Sequence, residues 1–132
     1  MKAKITVLWI ALLFTACATT GTLQKAPSEA GIAKKYPFKA AVITDVTQNA
    51  LHNLGFTLIE YGKQKNGALV IIAEKSASAF SWGEIVRIRI EEMSDSTVVR
   101  ILTKRRLATN VTAKGDWSTK IFADIEKQLK TQ

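Results

Sequence analysis

Cysteine, histidine and acidic residues are all scarce in this chain. Cysteine and histidine occur once each, at Cys17 and His52, and 11 acidic residues face 19 basic ones. A lone cysteine excludes an intramolecular disulfide and a four-cysteine metal site. It is kept for core packing, for reactivity or for modification, and its surroundings decide among these. No run approaches the roughly 20 apolar residues that a membrane-spanning helix needs. No serine stands in a nucleophile elbow, and no glycine-rich phosphate loop occurs. The sequence therefore carries no motif for catalysis, metal or cofactor, and the expectation is a protein that is not an enzyme.

The 132 residues have room for one small domain. With 47% hydrophobic and 23% charged residues the composition is that of a globular chain. The formal net charge is +8, an excess that favours anionic partners without bearing on fold.

Met1-Lys2-Ala3-Lys4 is a short positive segment, and Ile5 to Phe14 is an apolar run followed by the small residues Thr15 and Ala16. That is the outline of a secretory signal peptide over residues 1–16. Loss of Lys2 and Lys4 with it leaves 17 basic residues against 11, a balance of +6. Phe14-Thr15-Ala16-Cys17 resembles the lipobox of bacterial lipoproteins, with Phe14 where Leu is usual. The resemblance implies that Cys17 becomes the first residue of the mature chain and carries acyl groups, a palmitate-type lipid modification. Two or more chains give stable anchoring where one gives only reversible binding. The alternative is an ordinary signal peptide cut near Ala18. Ala18 itself resembles the family's sorting signal for the outer membrane, which implies a lipid-anchored protein facing the periplasm.

Residues 17–35 mix small, polar, Gly and Pro residues without apolar periodicity, and read as the lipidated terminus and a flexible tether. As a random coil, residues 18–35 would span on the order of 20–25 Å. Residues 36–132 read as one domain. A helix is expected from Pro37, with Gly55 at its C-terminal cap and Val42, Ile43, Val46, Ala50 and Leu54 on its apolar face. Strands are expected at Phe56–Tyr61, Ala68–Lys75, Glu84–Met93 and Thr97–Lys104, with turn chemistry at Asn66-Gly67 and Ser94-Asp95. Asp116 fits the N-cap of a last helix, Trp117–Leu129, whose stripe is Trp117, Ile121, Ile125 and Leu129. The fold class is thus α+β: a four-stranded antiparallel meander with two helices packed on one face, in the order αββββα. The other face of the sheet would be left to solvent or a partner.

Ser81-Trp82-Gly83-Glu84 leading into a strand, and Gly115-Asp116-Trp117 opening the last helix, resemble a domain of small bacterial membrane proteins and lipoproteins. In that family an Asp-Trp-Gly turn precedes the final helix; here Ser118 stands in place of its glycine. The likeness spans roughly the second half of the chain, and it implies no activity.

On the outer sheet face, Arg87, Arg89 and Arg100 make a basic centre together with Lys104-Arg105-Arg106. Clustered cations of this kind suit phosphates, but export and the lack of interleaved aromatics argue against nucleic acid. The polyanions within reach are anionic lipid, a glycolipid such as lipopolysaccharide, or an acidic envelope protein; a merely soluble face is the plain alternative. Phe80 and Trp82 either close the core or stand out as a partner anchor. His52 and Asp45, about two helical turns apart, are the only pair from which a small hydrolase or an envelope-stress sensor could be built.

Overall fold

Strong periodicity at the two ends of the domain and alternation between them set most of the architecture. The computed structural model describes residues 20–76, 83–105 and 117–132. The expected sites Cys17, Phe80 and Trp82, the signal peptide, Arg106 and the Asp116 cap lie outside the described residues. In chain order the elements are α1 (Thr20–Gln24), β1 (Ile32–Tyr36), α2 (Ala40–Asn53), β2 (Thr57–Lys63), β3 (Leu69–Lys75), β4 (Glu84–Glu92), β5 (Thr97–Arg105) and α3 (Trp117–Leu129). The class is α+β.

The meander from β2 to β5 forms as the alternation requires, each pair antiparallel. Two corrections follow from residues 20–36. A fifth strand, β1, pairs antiparallel with β5, so the sheet order is β1-β5-β4-β3-β2. The segment expected to be a flexible tether is, from Thr20 onward, part of the fold, beginning with the short helix α1. β1 is hidden in the sequence because Ile-Ala-Lys-Lys-Tyr lacks a clean apolar alternation. Its register, Ile32 opposite Ile101 and Lys34 opposite Val99, turns Ile32, Lys34 and Tyr36 toward the helices. Lys34 is accommodated there because its Nζ meets Glu126 Oε1 at 2.7 Å and lies 5.0 Å from the centre of the Phe122 ring.

α2 begins at Ala40 rather than Pro37, since Lys39 keeps an extended backbone (φ −69°, ψ 152°) as N-cap. Its C-terminus closes as a Schellman motif: Phe56 N donates to Leu51 O at 2.9 Å and Gly55 N to His52 O at 3.0 Å. Gly55 takes φ +81°, the left-handed conformation that the motif demands. The buried stripe of α2 is Ile43, Val46, Ala50 and Leu51, turned slightly from the expected one, so that Val42 and Leu54 are only half-buried.

α2 and α3 pack side by side on one face of the sheet. Ile121, Phe122 and Ile125 of α3 join Ile71, Ala73, Val86, Ile88, Ile90, Val99 and Ile101 from the strands in one core. Burial on this scale is the main stabilising term of so small a domain. Beside it, Phe56 and Trp117 meet edge to face at 5.3 Å between ring centres, with Lys75 Nζ 4.7 Å from the Trp117 ring.

Candidate outer-face site

Alternation sends Ile85, Arg87, Arg89 and Glu91 of β4 to the face opposite the helices. Arg89 stands opposite Arg100, and Arg87 opposite Leu102. The three arginines expected to share a face therefore do so. That face, however, is not open. α1 lies across it, and Leu23, fully buried, forms a second small core with Ile72 and Ile85, flanked by Val70 and Leu102.

Arg87 explains why so short a helix holds. A five-residue helix leaves its last carbonyls without intrahelical partners. The Arg87 guanidinium, only 5% exposed, donates from Nη1 to Leu23 O at 2.9 Å and Ala26 O at 2.7 Å, and from Nη2 to Pro27 O at 2.7 Å. A planar fork of donors can satisfy several carbonyls at once, which an ammonium cannot do in the same geometry. Burial pushes the guanidinium below its ordinary value, with Arg89 and Arg100 adding and Glu29 opposing. Arg87, expected to meet a partner, instead clamps the chain's own N-terminal segment to the sheet.

Arg89 and Arg100 frame a cleft of about 250 Å³ with Ser28, Glu29, Glu91 and Val98. Arg89 is buried, hydrogen-bonded to Gln64 and with Nε 3.6 Å from Glu91 Oε2. Arg100 Nη1 donates to Glu29 O at 2.9 Å. The Ser28 hydroxyl, 2.6 Å from Glu29 Oε1, holds that carboxyl below the usual range, and Arg100 and Arg89 contribute in the same direction. Two guanidinium groups thus face two carboxylates. Glu91 offsets the like-charge pair as the strand pairing requires; Glu29 does so from the segment that was expected to be tether. The cleft suits a group carrying both signs of charge better than a bare anion.

A larger cleft of about 650 Å³ opens on the helix side between the first turns of α2 and the β2–β3 hairpin. Thr44, Asp45, Tyr61, Lys63 and Glu92 supply its polar lining. His52 sits at the far end of α2, where seven residues of helix put roughly 10 Å between it and Asp45. Both side chains are exposed. They are not brought together for proton transfer, which needs contact at about 3 Å. Among the described residues no cluster of three or more His, Cys, Asp or Glu could hold a metal, and no helix is long and apolar enough to cross a membrane.

Leu23 and Gly31 escaped the sequence reading. Gly31, at φ +105°, brings the chain against β5 so closely that a Cβ would lie 2.3 Å from Ile101 O. The available signals were one large aliphatic residue in an otherwise small and polar stretch, and a glycine just ahead of β1. No protein-family model matches this chain, and comparison with curated proteins finds no match.

Proposed function

We propose that this chain is the precursor of a bacterial lipoprotein that presents a small non-catalytic binding or assembly domain in the cell envelope. Residues 1–16 are removed, Cys17 carries the lipid, and the domain stands on the periplasmic side of the outer membrane. The observation that carries the reading is Phe14-Thr15-Ala16-Cys17 at the end of a short apolar run, a few residues ahead of Thr20, the first residue of α1. The binding surface is the outer sheet face, where the cleft of Arg89, Arg100, Glu29 and Glu91 offers paired charges to a lipid headgroup, a glycolipid or an envelope protein. Nucleic acid is not a partner, and no cofactor is called for.

Membrane fractionation with intact mass spectrometry tests the anchor. The wild-type protein should partition with membranes and weigh more than the chain 17–132 by its acyl groups, while Cys17→Ser should be unacylated and released. An unmodified wild-type thiol overturns the reading.

A further inference from the structure

We infer that the outer sheet face is seated on the phospholipid headgroups of the membrane that holds the anchor. The proposal rests on the lipoprotein reading and deepens it. Only Ala18 and Thr19 separate Cys17 from the first residue of α1. Even fully extended, three residue steps reach about 11 Å. A free tether of residues 18–35 would have let the domain stand off and turn. Instead, the buried Leu23 and the three carbonyls held by Arg87 fix the chain to the outer face within eight residues, from Thr20 to Pro27. The acyl chains therefore leave the domain from the side that carries α1, while α2 and α3 lie on the opposite side of the sheet.

The charges on that face fit such a neighbour. A zwitterionic headgroup presents a phosphate and an ammonium a few atoms apart. Arg100 and Arg89 can receive the first, and the exposed Glu29 and Glu91 carboxylates the second. Lys25 and Lys104, also exposed, add positive charge to the same face. Headgroup charges lie within the roughly 8 Å over which physiological salt leaves such interactions unscreened.

Acylation consumes the only native thiol, so introduced cysteines can be labelled singly. The acylated mature protein, carrying a fluorophore at Lys25→Cys or at Lys127→Cys on the exposed side of α3, would be reconstituted into phosphatidylethanolamine and phosphatidylglycerol vesicles bearing a headgroup quencher. Quenching should be several-fold stronger at position 25 than at 127, and Arg100→Glu should weaken it at 25. Equal quenching at the two positions, or quenching at 25 that ignores Arg100→Glu, overturns the seating while acylation stands. Mass spectrometry of the same samples separates the two failures: an unacylated Cys17 removes the anchor and this proposal with it.

Discussion

The guanidinium of Arg87 on β4 holds the backbone carbonyl of Leu23 at 2.9 Å across 64 residues of sequence. Leu23 in turn closes over Ile85, two residues before Arg87 on the same strand. The charged group and the apolar side chain secure one turn of helix to one patch of sheet. The helix depends on these contacts, since an isolated five-residue helix lies well below the length at which helices persist in water.

Arg87→Gln should therefore loosen residues 20–30 and cost about 2–4 kcal/mol, because carbonyls that had a charged donor lose it while partly buried. Denaturation midpoints measure the loss. Limited trypsin digestion should show the bond after Lys25 cut faster in the variant than in wild type. Equal midpoints and equal cleavage rates would mean that the clamp contributes nothing.

Gly31→Ala is expected to be as damaging although it adds one methyl. The left-handed backbone costs an L-residue about 1–2 kcal/mol, and pushing Ile101 O aside adds about 1–3 kcal/mol more. Thermal unfolding should fall accordingly. A variant as stable as wild type would show that β1 does not approach β5 this closely.

Much of the fold was readable in the residues because it repeats with a period. Val86, Ile88 and Ile90 alternate with Arg87, Arg89 and Glu91, which alone assigns the two faces of β4; Ile121 and Ile125 do the same for α3. What was missed has no period. β1 carries Lys34 on its inner face, tolerable only because Glu126 and Phe122 wait on α3. Leu23 is one apolar residue among small and polar ones, and its burial depends on strands some fifty or more positions later. The same gap misassigned Arg87: alternation placed it on the outer face, but nothing local revealed that α1 would cover it. Arg89 and Arg100 remained at the cleft, joined by a carboxylate, Glu29, from the supposed tether.

Stability toward acid should depend partly on Glu126. Lys34 holds its carboxyl below the usual range, the Tyr36 hydroxyl adds to this at 3.1 Å, and burial opposes. A lowered folded value means that the contribution is complete above the ordinary glutamate range and is lost as pH falls through the folded value. Both Lys34 and Glu126 side chains are about 40% exposed or more, so the effect is at most about 1 kcal/mol. Glu126→Gln should flatten the acid limb of stability in urea titrations between about pH 5 and 3. Wild type and variant falling in parallel would exclude the pair as a cause. At the alkaline end Tyr36 acts in the opposite sense: burial first, then Glu126, push its hydroxyl upward. Its contribution is thus lost as the unfolded chain releases the phenolic proton above about pH 10.

Amide hydrogen exchange across residues 20–30 tests most directly whether the N-terminal segment is part of the domain. Lys25 N donates to Gly21 O at 3.1 Å, Ala26 N to Leu23 O at 3.3 Å and Ala30 N to Pro27 O at 3.0 Å. If α1 is locked to the sheet, these amides should exchange far more slowly than those of an unstructured peptide, and Arg87→Gln should return them toward its rate. Exchange at the unstructured rate in the wild-type protein would contradict the account and restore a free tether between Cys17 and the domain.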